Sequence, residues 1–290
     1  MILTGLALLL LVLLGAPLFA VIAASTLLAF SRTEADLTVV IIEIYRLAEM
    51  PVLLAIPLFT FAGYLLAESR APQRLVRITN ALLGWLPGGL AAVVLVVCAL
   101  FTAFTGASGI TIVALGALLY PALIQAGYPE RFSLGLITTS GSIGLLFAPS
   151  LPLILYSVVA QQLNIGQPVA IGALFIAGIL PGILIIVLLG IWGLWQRRGH
   201  EIPQAPFSTR EALAAVREAA WELPLPVIVL GGIYSGFFAV SEAAAVTALY
   251  VLIVEVIVHR EIRLADLPKI MRESMVLVGA ILIVLGMSLA

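Results

Sequence analysis

Residues 78–196 contain only two charges, the adjacent pair Glu130 and Arg131. Residues 78–129 are 52 consecutive uncharged positions, and residues 132–196 continue in the same way. A chain of this kind folds with its peptide groups away from water. In a bilayer, only helices and closed barrels satisfy those groups internally. A helical span needs ~20 apolar residues, whereas a barrel strand alternates over about 10. The sequence has about eight long apolar stretches without alternation, so it reads as an all-α integral membrane protein. Charged residues make up 10% of the chain, against ~25% in soluble domains. A net charge of −1 gives no handle on nucleic acid. The single cysteine, Cys98, lies in an apolar run and reads as a small core residue rather than a nucleophile.

The N-terminus has no basic region, and the apolar run of residues 1–30 is too long for a cleaved signal. It is expected to form a first membrane helix bent at Pro17. At the other end, "MVLVGAILIVLGMSLA" is 16 residues without a polar flank, which suggests an incomplete C-terminus. Eleven of the 14 basic residues fall in three loops: Arg70, Arg74 and Arg77; Arg197, Arg198, Arg210 and Arg217; Arg260, Arg263, Lys269 and Arg272. The positive-inside rule places these loops and the N-terminus in the cytoplasm. Residues 31–49, with four acids and two arginines, fit the outer side. Residues 197–222 read as a connector with an interfacial amphipathic helix, started by the capping spacing of Ser208 and Glu211. "HREIRLADLPKIMRES" reads as a second such helix, and ordinary solvated loops are the alternative for both.

Two stretches break the apolar pattern. "FTAFTGASGITIVALG" places seven glycine or hydroxylic residues in the middle of residues 88–126, with an arm of about 17 residues before the break. A turn at Thr105, Gly106, Ala107, Ser108 and Gly109 makes this a helical hairpin. The first arm would end its partial negative charge at the tip, and the second would begin its partial positive charge there. Carbonyls and hydroxyls then suit a hard cation such as sodium, and amides suit a carboxylate. A small-residue helix contact with hydroxyl bonds is the alternative reading. The second stretch, "ITTSGSIGLLFAPSLPLILYS", places Gly141, Ser142, Gly144, Pro149 and Ser150 in a helix spanning residues 132–160, which should break there. Anything bound at these breaks must be held by dipoles and neutral oxygens. Glu242, after Ser241, reads as a helix cap.

The chain has no phosphate-binding GxxxxGK[ST] loop, and neither His200 nor His259 has metal-ligand spacing. It has no Ser–His–Asp set within its apolar runs, so it reads as no enzyme and as needing no cofactor.

"AIPLFTFAGYLL", "LPGGLAAVV", "FTAFTGASG", "ALGALLYPALIQAGYPERF", "GSIGLLFAPSLPLILYS", "FIAGILPGIL" and "GGIYSGFFAVSEAAAVTALYVL" occur in that order. In this the chain resembles the large membrane subunit of TRAP (tripartite ATP-independent periplasmic) transporters. The family's first tip motif, usually S-G-S-S, falls on Thr105, Gly106, Ala107 and Ser108. Its broken-helix motif, usually G-x-x-G followed by P-P-S, falls on Gly141, Gly144, Ala148, Pro149 and Ser150. Ala107 and Ala148 depart from the pattern.

The resemblance implies an elevator-type carrier with inverted repeats, a re-entrant hairpin and a broken helix, in the bacterial inner membrane. It implies sodium at Thr105, Gly106, Ser108, Gly144 and Pro149, with a small organic acid such as a dicarboxylate, sialic acid or keto acid nearby. The implied partners are a small membrane subunit and a periplasmic substrate-binding protein. On this basis residues 1–77 are scaffold and residues 78–160 half of a transport domain. Residues 161–222 are scaffold and connector, and residues 223–290 the start of a second repeat. A stand-alone sodium–dicarboxylate symporter and a non-transporting assembly subunit are the other readings carried forward.

Overall fold

The computed structural model describes residues 2–33, 36, 38–86, 88–162, 169–196 and 207–289. Part of the connector (residues 197–206, with Arg197, Arg198 and His200) lies outside these, as do residues 34, 35 and 37 of the segment assigned to the outer side. Every regular element among the described residues is helical. The chain runs through α1 (Ile2–Leu13), α2 (Leu18–Thr33), α3 (Thr38–Ala48), a short 3-10 turn (Pro51–Leu54) and α4 (Ala55–Glu68). Next come α5 (Ala71–Leu83), α6 (Gly89–Thr105), α7 (Ser108–Gln125), α8 (Glu130–Ile143) and α9 (Leu151–Gln162). The remainder is α10 (Ile171–Gln196), α11 (Thr209–Glu218), α12 (Pro224–Tyr234), α13 (Val240–Ile253) and α14 (Leu267–Leu289).

Among the described residues, five stretches are long and apolar enough to cross a membrane: Pro51–Glu68, Ser108–Gln125, Ile171–Gln196, Val240–Val258 and Leu267–Ser288. The bent pair α8 and α9 makes a sixth if it is one span. The apolar helices Leu18–Ser31, Gly89–Thr105 and Pro224–Tyr234 are shorter, which accounts for the gap from the eight stretches in the sequence.

Two expectations need correcting. The run at residues 1–30 is two helices rather than one bent helix. It breaks where Gly15 takes a left-handed φ of +82° and Pro17 follows. The basic stretch after His259 does not form a separate interfacial helix: Leu267–Leu289 is one continuous α14, its first turns carrying Lys269, Arg272 and Glu273. The cap at Glu242 stands, since its Oε2 accepts the Ala239 amide at 2.8 Å. So does the start of α11, where Ser208 Oγ accepts the Glu211 amide.

The centre of the molecule is α6. Its residues Ala91, Val93, Leu95, Val97, Cys98 and Phe101 are buried on several faces, as expected of a helix that is apolar all round. Packed around it are α4, α5, α7, α8 and α10. α10 keeps its other side exposed, with Leu180 and Leu188 outward, a surface that suits hydrocarbon. α4 and α13 lie along one another.

One end of this core is polar. Arg74, on α5, is buried with a side-chain exposure of 5%, and its guanidinium faces three carboxylates. It bonds Glu222 through Nε, Glu261 at 2.6 Å and Glu255 at 3.4 Å. Glu261 also accepts the Arg70 amide at 2.7 Å. His259 Nε2 stands 3.8 Å from Glu222, and both His259 Nε2 and the second Glu222 oxygen are buried without a hydrogen-bond partner.

Candidate functional site

The first break is a tight turn. α6 and α7 pack on one another, with only Gly106 and Ala107 between them. Gly106 has φ +65°, the left-handed region that glycine adopts without strain. Its amide closes on the Thr102 carbonyl at 2.8 Å, and Ala107 returns to extended geometry at φ −133°. No side chain caps α7 at Ala107. The C-terminal carbonyls of α6 and the free N-terminal amides of α7 therefore meet at one point, bringing opposite partial charges together.

The second break follows α8. A 3-10 turn at Gly144–Leu146 leads through Phe147–Ser150 into α9, and the axes on either side differ by 44°. The Phe147 amide bonds the Gly144 carbonyl at 3.1 Å, and Ser150 Oγ donates to the Leu145 carbonyl. Pro149 and Ser150 are buried.

The two breaks pack on each other. A Cβ at Gly106 would collide with the Leu151 side chain, the first residue of α9. A Cβ at Gly144 would strike Ala99 and Thr102 of α6, and one at Gly141 would press on Ile112 of α7. Gly63 of α4 lies directly against the backbone of Thr105. Missing side chains thus let α4 and the break after α8 pack on α6, and Leu151 pack on the tip.

Three buried threonines join the parts. Thr102 Oγ1 lies 2.8 Å from the Gly141 carbonyl and 2.7 Å from Thr111 Oγ1. Thr105 Oγ1 lies 3.3 Å from Thr111 Oγ1 and 3.5 Å from the Ala107 carbonyl. All three residues are at 0% exposure.

Thr105, Gly106, Ala107, Ser108, Gly141 and Gly144 thus share one neighbourhood, with Pro149 and Ser150 adjoining through Leu151. Gly109 and Ser142 lie on exposed sides, Ser142 with its hydroxyl turned back to the Thr138 carbonyl at 3.5 Å. Thr102 and Thr111 were part of the polar stretch noted above but were not assigned to the site. Their spacing of nine across a turn carries no motif. Gly63 gave no signal either, being one glycine in an apolar helix. Among the described residues, no group of His, Cys, Asp or Glu side chains could hold a metal ion.

The family model described as "Tripartite ATP-independent periplasmic transporter, DctM component" matches residues 5–290. A C4-dicarboxylate TRAP transporter large permease protein DctM of Rhodobacter capsulatus is 35% identical over 254 residues, covering 84% of this chain and 58% of that protein. The Pseudomonas aeruginosa protein of the same description is 37% identical over 234 residues, 80% of this chain and 53% of that one. An ectoine TRAP transporter large permease protein, TeaC, of Halomonas elongata is 35% identical over 235 residues, 81% and 53% respectively. The chain spans about half the length of the curated relatives it matches.

Proposed function

Because the chain belongs to the DctM component family of tripartite ATP-independent periplasmic transporters, a family of transporter components and not of enzymes, we propose that it forms part of a sodium-coupled large permease. In this reading it sits in the bacterial inner membrane with its N-terminus in the cytoplasm. It imports a small organic acid handed over by a periplasmic binding protein, beside a small membrane subunit. Relatives described for C4-dicarboxylate and for ectoine are equally similar at 35% identity, so similarity does not choose the solute.

The observation that carries the reading is the convergence of the tip at Thr105–Ser108 on the break at 141–150. That neighbourhood offers carbonyls, hydroxyls and helix ends without a formal charge. Neutral oxygens of this kind suit an alkali cation, and the amides that open α7 suit a carboxylate. Sodium is assigned to Thr105, Gly106, Ser108, Gly144 and Pro149. Residues 78–160 move as half of a transport domain against scaffold helices from 1–77 and 161–222, and residues 223–290 open a second repeat of inverted topology.

The test is uptake of radiolabelled succinate and of ectoine by cells expressing the full-length gene with its neighbouring genes, under sodium and under potassium. Gly106→Val must place a branched side chain at φ +65° and into Leu151. Sodium-driven uptake should be lost while the variant still reaches the membrane. Uptake equal to the wild type would sink the site assignment.

A further inference from the structure

We infer that the groove between α8 and α10 holds one anionic phospholipid of the bilayer, its phosphate at Arg131 and an acyl chain along Gly135 and Thr139.

Two helical stripes make the groove. Arg131, Gly135 and Thr139 recur every four residues on α8, and Leu189, Trp192 and Gln196 recur at three and four on α10, so each set shares one face. Phe132 closes the floor between them: a Cβ at Gly193 of α10 would come within 3.6 Å of its ring. The space enclosed is about 410 Å³, within the ~300–1,000 Å³ of small-molecule sites. From Arg131 to Thr139 the helix rises about 12 Å. Gly135 keeps that length open, since a Cβ there would meet nothing within 4 Å.

The mouth is charged and the trough is apolar. Arg131 is exposed and forms no ion pair among the described residues. Its acidic neighbour Glu130 instead accepts from the Tyr120 hydroxyl of α7 at 3.3 Å. No acid lines the groove. A guanidinium matches phosphate oxygens with paired hydrogen bonds. The ammonium of a zwitterionic headgroup would meet no carboxylate in the lining, so the charge selects an anionic lipid. The same end carries the marks of a membrane surface. Trp192 and Trp195 stand 5.3 Å apart and about half exposed, as tryptophans do at headgroup level. Arg197 and Arg198 follow in the sequence. Basic pockets between membrane helices at this level take acidic headgroups. Farther along α10, Leu184 and Leu188 face outward, so an acyl chain can enter from the side. On the proposed division α8 belongs to the moving half and α10 to the scaffold, which would set the lipid across the sliding surface; binding itself does not rest on that reading.

The experiment is native mass spectrometry of the purified full-length protein, incubated with phosphatidylglycerol or with phosphatidylcholine of the same acyl chains. One phosphatidylglycerol should stay bound at lower lipid concentration than phosphatidylcholine. Arg131→Gln should weaken its retention about fivefold, the worth of one arginine at an anionic surface, and bring it to the phosphatidylcholine value. Gly135→Leu should fill the trough and lower retention of both lipids. Should that variant fail to fold, Thr139→Leu on the same exposed stripe makes the same test. Arg217→Gln removes an exposed arginine of α11, outside the groove, and should change nothing. Equal retention of the two lipids by the wild type overturns the inference, as does wild-type retention in Arg131→Gln or in the trough-filling variant. An equal loss in Arg217→Gln assigns the attraction to basic surface in general and overturns it too. A lipid-free dimer that Gly135→Leu dissociates gives the groove to a second copy of the chain instead.

Discussion

Replacing Arg74 by methionine should be the most damaging single change outside the two breaks. Arg74 is the cation in a buried group with three carboxylates, whose side-chain exposures are 3% at Glu222, 0% at Glu255 and 17% at Glu261. Methionine fills much of the arginine stem but leaves all three acids facing one another. His259 then stands beside them, 3.8 Å from Glu222. Removing one partner of a buried pair costs ~3–5 kcal/mol, because the charge left behind stays desolvated.

The pH dependence has a definite sign. Burial works against the charge at Glu261, but the Arg70 amide and the Arg74 guanidinium outweigh it and hold the carboxyl below the usual range. Its contribution is therefore fully present above an unfolded value of about 4.3 and is lost as pH falls through the lower folded value. In Arg74→Met that contribution is reduced at neutral pH, with the Arg70 amide left to support it, and the crowded acids relieve their repulsion by binding protons. The deficit should therefore shrink between pH 7.5 and pH 5. The assay is reversible unfolding in mixed micelles titrated with dodecyl sulfate, followed by tryptophan fluorescence. Arg74→Met together with Glu222→Gln should recover part of the loss. If Arg74→Met lies within ~0.5 kcal/mol of wild type at pH 7.5, like an ordinary surface change, the charge cluster is not holding the helices together.

Two further outcomes concern single contacts. Gly63→Ala should destabilise strongly, since its Cβ meets the backbone at Thr105, whereas Gly109→Ala, with nothing within 4 Å, should be neutral or stabilising by up to ~1 kcal/mol; equal melting temperatures would refute the close contact. At the surface, Arg77 hydrogen-bonds Glu211 at 2.9 Å and holds its carboxyl below the usual range. Arg77→Gln should therefore raise the Glu211 titration midpoint seen by carboxyl NMR, and any stabilisation from this pair should be lost as pH falls through the lower folded value.

The helical class was legible because residues 78–196 leave almost no alternative to helices in lipid. Both breaks were legible from Gly, Ser, Thr and Pro. The contacts between them were not. Gly106 announces a turn, but nothing in the sequence says that Leu151 fills the space above it. Thr102 and Thr111 look like ordinary hydroxyls on two apolar helices until the turn brings them to 2.7 Å. Arg74 was read as one more cytoplasmic positive charge, and the arginine count did place its loop with other basic loops. Its burial depends on partners far along the chain. The clue was Glu255 in "ALYVLIVEVIV", a carboxylate in an apolar helix, which has to find a cation or a proton.

That distance along the chain has a consequence in time. Arg74 is separated from Glu222 by 148 residues, from Glu255 by 181 and from Glu261 by 187. A ribosome adding about 5–20 residues per second completes Glu222 roughly 7–30 s after Arg74. During that interval α6, α7, α8 and α9 are all synthesised, before any of the three carboxylates that pair with Arg74. The hairpin and the broken helix are thus made before the Arg74 cluster can close, because its carboxylates follow them in the chain.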